Sequence, residues 1–295
     1  LVETVERLLA LDDYESAMRE RFRVARKLAA LESTTTTEEL EESTAYTDLK
    51  ARFERLTEEM DAASENVEID ELRGTIDPED GYRMIEITWP GVHWSSGMNE
   101  KGLAITGASA EAGKLKPGGR GFQSEGPRLT GLAFIALKKC ATVREAVALF
   151  GSHDLAGNLG LADGSEEMCI LECVPGFNAR RGTEGDRLVA TSYFRSPDML
   201  NALEEAGYDP TYSLEYFGGG AGRERYEIIE RILTENRGRP PVDRLKEVMT
   251  SHAGSEAAQP CNDKNVNSSI FVPGRRTCYM APRYACSSEW EEYSV

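Results

Sequence analysis

The residues best suited to chemistry lie in one stretch, Trp94-Ser95-Ser96-Gly97-Met98-Asn99-Glu100-Lys101-Gly102-Leu103-Ala104-Ile105-Thr106-Gly107. Upstream, Tyr82 to Pro90 alternates apolar and polar residues as a half-buried strand does. Downstream, Leu103 to Thr106 reads as a second short strand. Asn99 stands in the Gly-flanked corner between them. A neutral amide fixed on a rigid strand–turn–strand can donate to a developing oxyanion. The plainer reading is a hairpin in which Asn99 accommodates an unusual backbone conformation. His93 and Trp94, just before the corner, either face a substrate pocket or pack on a neighbouring strand.

The three histidines are His93, His153 and His252. His252 suits a general base, or a cation near a helix C-terminus. The six cysteines are Cys140, Cys169, Cys173, Cys261, Cys278 and Cys286, with no C-x-x-C pair among them. Buried structural thiols are the expectation, and a disulfide among the last three stays open. With no H-x-x-x-H and no carboxylate cluster at ligand spacing, the expectation is no metal. Gly-rich Ala108 to Pro127 reads as an exposed loop of the kind that lines pockets, outside any phosphate-loop context, so no nucleotide cofactor is expected. Asp163 reads as a turn former in an Asp163-Gly164 hairpin, and Glu86 and Glu172 as solvent-facing strand residues.

Around these residues the chain has 295 positions, enough for one large domain or two small ones. Its net charge is −17, with 9 Lys against 25 Arg. Such a surface argues against nucleic acid or anionic lipid as partner. It suits a soluble protein of a salt-rich cytoplasm, and a GC-rich genome gives the same Arg bias. No apolar run reaches the length of a membrane span. The chain starts at Leu1 rather than Met, which leaves a removed leader an open question.

The periodicity predicts helices over 2–32 and Leu49 to Ala63, separated by the polar stretch Ser33 to Ser43. They read as a helical hairpin outside the main core: a homo-oligomer contact, a lid or a solvated insertion. Residues 1–65 form this N-terminal segment and 66–295 the main domain. Strand periodicity fills 66–107. Helices follow at Leu129 to Cys140 and, behind a Thr142/Glu145 capping box, Val143 to Phe150. Short strands are expected at Asn158 to Ala162, Glu167 to Val174, Phe177 to Arg181 and Arg187 to Thr191. Two helices (Arg223 to Thr234, Pro241 to Ser251) and two strands (Ser268 to Pro273, Thr277 to Met280) end the chain. Paired helices between antiparallel strand runs indicate an α+β fold with two sheets face to face and helices outside.

Gly97-Met98-Asn99-Glu100-Lys101-Gly102-Leu103 resembles the G-M-N-E-x-G-L element of N-terminal-nucleophile (Ntn) hydrolases. That element occurs in the peptidase C45 / isopenicillin N acyltransferase group and in the related choloylglycine hydrolases. The resemblance continues, in order, through Cys140 to Ala146, Leu161 to Ser165 with Leu171-Glu172, Ala190 to Phe194 with Ser196 to Met199, Arg225-Tyr226, Ser251-His252 and Tyr284 to Cys286. It spans roughly residues 70 to 290.

The resemblance implies a four-layer αββα sandwich and hydrolysis, or acyl transfer, at a linear amide bond of a small acyl substrate. The nucleophile of such enzymes is a terminal Cys, Ser or Thr whose own α-amine is the base. Asn99 would hold the oxyanion. Arg225 would oppose the charge of the nucleophile, or pair with a Glu on an exposed helix face. Arg73 and Asp77 would stand nearby, and Ser192 and Tyr193 would line the substrate site. Ser192 replaces an Asn usual in relatives, which removes a second amide donor. Upstream of Gly81 there is no Cys. The nucleophile is then expected before Leu1 or in a segment lost between residues, or the protein is a catalytically silent relative that binds an acyl or amino-acid-like ligand or a protein.

Overall fold

The computed structural model describes residues 43–66, 72–89, 92–108, 129–183, 185–209, 221–238, 240–262, 267–282 and 284–295, together with Glu20, Val24, Lys27, Ala110 and Asn265. It divides into two compact units, Leu1–Glu71 and Leu72–Val295.

In the first unit the described element is helix α1, Thr44–Asn66. It begins where the polar stretch ends, and the Ser43 hydroxyl accepts the first-turn Tyr46 N–H at 3.3 Å. Arg52 bonds Glu20 at 2.7 Å. The expected helix over 2–32, and with it the hairpin, otherwise lies outside the described residues.

The second unit is a mixed α and β structure with antiparallel sheets. Strands β1 (Leu72–Ile76), β2 (Met84–Trp89), β3 (Val92–Asn99), β4 (Ala104–Ala108), β5 (Gly157–Ala162), β6 (Met168–Val174) and β7 (Phe177–Arg181) form a seven-stranded sheet in chain order. Helices α2 (Leu129–Lys139) and α3 (Val143–Gly151) are inserted between β4 and β5. Both are apolar on one side, and they cover one face of the sheet. Leu132, Ala136, Leu137, Ala146 and Phe150 pack there on Met84, Ile105, Leu159, Leu161 and Leu171. The period of two in a strand sends the alternate residues to the other face. There Ile85, Ile87, Met98 and Ala104 meet Cys278 and Met280 of a second sheet, β8 (Asn267–Val272), β9 (Thr277–Pro282) and β10 (Glu291–Ser294), in the order β10-β9-β8.

Helices α5 (Ala221–Glu235) and α6 (Pro241–Met249) form a separate apolar cluster through Ile228, Ile232, Leu233 and Val248. Helix α4 (Pro197–Glu205) buries Met199 and Leu203 against Val174 and Ala179. It is entered through Pro197 and capped by the Ser196 hydroxyl, which accepts from Met199 N. Neither α4 nor β10 is among the elements expected from periodicity.

The α3 cap forms as a local motif should. Thr142 Oγ1 accepts from Glu145 N at 3.2 Å, and Glu145 reaches back to Ala141 N at 2.6 Å. Asp163 does more than make a turn. It is 5% exposed, and its carboxylate accepts from Val143 N at 2.8 Å and from Ser165 N and Oγ at 2.9 and 2.6 Å. The hairpin it starts is longer than an Asp-Gly turn, and the residue in the left-handed region is Glu166, at φ 69°. Burial pushes the Asp163 carboxyl up, and the hydrogen bonds from Ser165 and Val143 together hold it below the ordinary carboxylate value. A depressed folded value stabilises above the unfolded pKa, and that stabilisation is lost as pH falls through the folded value. Asp163→Asn is therefore expected to cost about 1–2 kcal/mol near neutrality. The difference from wild type should shrink below about pH 4, where the unfolded carboxyl protonates. Urea titrations of both proteins across that range check it, and a pH-independent difference contradicts it.

Three other expectations are corrected. Arg187 to Thr191 is not a strand and contributes isolated bridge residues, Arg187 and Thr191, the latter paired with Tyr193. Side chains take its carbonyls instead: Arg181 Nη2 donates to Val189 O at 2.8 Å, and Asn158 Nδ2 donates to Thr191 O at 2.8 Å. Glu86 and Glu172 do not face solvent, and both are 0% exposed. Glu172 accepts from Arg181 Nε at 2.7 Å, Arg195 N at 3.0 Å and Ser196 N at 2.9 Å. It thereby pins the segment before α4 to β6.

Candidate functional site

Asn99 ends β3 and faces Met84 across the β2–β3 pair. The corner closes through Asn99 N to Leu103 O at 3.0 Å and Gly102 N to Asn99 O at 2.8 Å. Gly102 sits at φ +86°, and a Cβ there would stand 2.8 Å from Pro273 O, so only glycine fits.

The Asn99 side chain is fully buried and fully used. Its Nδ2 donates to Leu137 O and Cys140 O, both at 2.8 Å. Its Oδ1 accepts from Lys101 N at 3.0 Å and Leu103 N at 3.1 Å. The two carbonyls belong to the end of α2, where a helix has no partners of its own. In this arrangement Asn99 caps α2 from a distant strand. Both N–H bonds of the amide expected to serve an oxyanion are thus engaged with α2 carbonyls in this structure.

Arg225 lies in the first turns of α5, half-buried, and its Nη2 donates to Ala257 O. Burial pushes its pKa down. Among the described residues its bonded partner is the Ala257 carbonyl rather than a Glu carboxylate. Arg73 lies on β1 opposite Ile87, and Asp77 is exposed just beyond that strand. His93 and Trp94 lie on β3 with side chains outside the described residues. The hydrogen bonds that the Asn99 and Arg225 side chains donate go to different elements, the end of α2 and the loop beyond α6.

A pocket of about 490 Å³ lies instead among β4, β5, β6, β8, the stretch Asp186 to Ala190, α5 and α6. Its walls are mostly apolar, with Ile229, Leu233, Leu245, Val248 and Ile270 contributing. Asp186, Arg187 and Arg244 also line it, and Asn158 adds a buried amide. It is 1% exposed, and its Nδ2 donates to Thr191 O and Tyr193 O at 2.8 and 3.0 Å. Its Oδ1 is buried without a hydrogen-bond partner among the described residues. A buried acceptor in that state costs free energy until a donor meets it. Ser192 and Tyr193, expected to line the substrate site, are not among the residues that line this pocket, and Tyr193 reaches it only through the bond from Asn158 to its carbonyl. Tyr193 packs edge-on against Tyr226 at 5.9 Å, and burial pushes its pKa up. A network runs on beside the pocket: Arg195 stacks on Tyr226 at 4.1 Å, Tyr226 OH donates to Glu230 at 3.2 Å, and Arg187 pairs with Glu230 at 2.8 Å. Asn158 had no sequence signal beyond being a polar residue in an apolar strand.

Among the cysteines, burial pushes Cys173 and Cys278 up to about 12 and raises Cys140, which leaves these thiols inert. Cys286 is exposed, contrary to the expectation of buried thiols throughout. His252 is not at the α6 terminus but in the loop beyond it, and it lies close to Cys261 and Cys286. Against the expectation of no metal stands this group of three side chains of metal-ligating type, assembled from parts far apart in the chain.

A family model described as the HalX domain matches residues 10–76, well under half of the chain. No curated protein matches it. Among solved structures, penicillin V acylase from Agrobacterium tumefaciens aligns at TM-score 0.46 and 16% identity, covering 76% of this chain and 75% of that one. A variant of conjugated bile acid hydrolase from Clostridium perfringens aligns at TM-score 0.44 and 12% identity, covering 72% and 82%. A second variant of the same hydrolase gives TM-score 0.43, also at 12% identity. Among the described residues no helix is long and apolar enough to cross a membrane.

Proposed function

We propose that Leu72–Val295 is an Ntn-hydrolase-like unit of the αββα type whose pocket takes a small linear amide with an apolar acyl part. The observation that carries this is the unpartnered Asn158 Oδ1 in an apolar pocket. It calls for a ligand with one N–H donor attached to an apolar body, which an N-acyl compound supplies. The ordered motifs around Asn99 support the same ligand class and imply hydrolysis or acyl transfer at its C–N bond. That chemistry needs a nucleophile with a free α-amine. A second reading, a silent relative that holds the ligand without cleaving it, is favoured by the commitment of both Asn99 N–H bonds to α2.

The test is calorimetric titration of the full chain with N-acyl amides of graded acyl length, with amine release followed in parallel. Saturable binding is expected. Leu245→Trp, which fills the pocket without touching the Asn158 bonds, should weaken it at least about tenfold, or about 1.4 kcal/mol. Amine release with an acyl adduct in the intact mass supports the hydrolase or transferase. Binding without release supports the silent relative. No binding across the series overturns both.

A further inference from the structure

We infer that His252, Cys261 and Cys286 form a binding site for a zinc-class divalent cation, tying the last turn of the chain to the loop that follows α6. Their ligand atoms all lie within 4.8 Å of one another. A tetrahedral zinc with bonds of about 2.3 Å to sulfur and about 2.0–2.1 Å to nitrogen holds its ligand atoms roughly 3.5–3.8 Å apart. A contraction of at most about 1.3 Å converts the observed group into that geometry. Two sulfurs and an imidazole nitrogen form a soft donor set, which selects zinc-like ions over magnesium or calcium.

The ligands stand on braced backbone. Cys261 is buried, and its N–H donates to Ser251 O at 2.9 Å, closing the loop between the first two ligands. That loop is fixed to α5 twice. Glu224 accepts from Ser255 N and Oγ at 2.8 and 2.6 Å, and Arg225 donates to Ala257 O. Cys286 lies in a tight turn in which Ser287 N and Ser288 N both donate to Tyr284 O, at 3.0 and 3.1 Å. Gln259 Oε1 lies 3.4 Å from His252 Nδ1. A carbonyl oxygen there holds the proton on Nδ1, so Nε2 is the nitrogen left to bind, the usual arrangement for a ligating imidazole. His252 and Cys286 are exposed, so water completes a fourth position. Binding transfers the two thiol protons to solvent, and no redox step is involved. A bond between the sulfurs would need no imidazole converging on them. The site is independent of the pocket function proposed above.

The test uses the full chain, stripped with chelator under reductant and titrated with Co²⁺. One cobalt per chain is expected, with thiolate-to-cobalt charge-transfer absorption and the intense visible bands of a tetrahedral ion, displaced by Zn²⁺. Zn²⁺ should also raise the melting temperature. Cys286→Ser and His252→Ala, both at exposed positions, should each weaken Zn²⁺ binding at least about tenfold in competition with a chromogenic chelator, as even outer-shell changes do. Ser287→Ala in the same turn should not. Three results would each overturn the site: no charge-transfer absorption in wild type, unchanged Zn²⁺ affinity in Cys286→Ser, or an untreated protein whose mass is lower by two thiol hydrogens with a Cys261–Cys286 bridge.

Discussion

Asn99→Ala is expected to destabilise the second unit by about 3–5 kcal/mol, because two backbone acceptors and two backbone donors lose their partner inside the protein. Each orphaned buried group costs about 1–3 kcal/mol, and partial relaxation keeps the total below the simple sum. Asn99→Asp should be no milder. It preserves the shape and the Oδ1 acceptor, but it points a carboxylate oxygen at Leu137 O and Cys140 O. Denaturant unfolding reads the effect directly. An oxyanion donor behaves in the opposite way: its loss lowers turnover by about 10²–10³ and leaves stability nearly untouched. Wild-type stability in Asn99→Ala would therefore remove the structural role assigned here.

Glu172→Gln is expected to cost about 3–5 kcal/mol, as breaking a buried ion pair does when one charge stays behind. The control lies on the same hairpin. Arg180 and Glu167 also meet at 2.7 Å, but with side chains 46% and 34% exposed, against 9% and 0% for Arg181 and Glu172. Glu167→Gln should change stability by less than about 1 kcal/mol. Distance is equal in the two pairs, so any difference measures burial together with the two backbone amides that Glu172 also holds. Equal effects in the two variants would show that Glu172 anchors nothing.

What the sequence disclosed was mostly local. The α3 cap was legible because its donor and acceptor lie within one turn, at Thr142 and Glu145. The β2–β3–β4 run was legible because alternation survives in Tyr82 to Pro90 and Leu103 to Thr106. Asn99 could be singled out, but not given its role, since its partners Leu137 and Cys140 lie about forty residues away. The stretch Arg187 to Thr191 has the apolar content of a strand, yet its carbonyls are claimed by Arg181 and Asn158 from other elements. Glu172 was misread because alternation assigns a polar residue to solvent, whereas β6 is covered on both faces. Cys261, Cys286 and His252 carry no ligand spacing, and only the fold brings them together.

The neighbour order of the large sheet repeats the chain order from β1 to β7. Such a sheet can zip up one hairpin at a time, each closure spanning a short loop with a small entropic penalty. The exception is the step from β4 to β5, which must wait for the two intervening helices. The Asn99 amide joins the earlier strands to the end of the first of those helices, so it fastens together the two parts that local growth alone would leave apart.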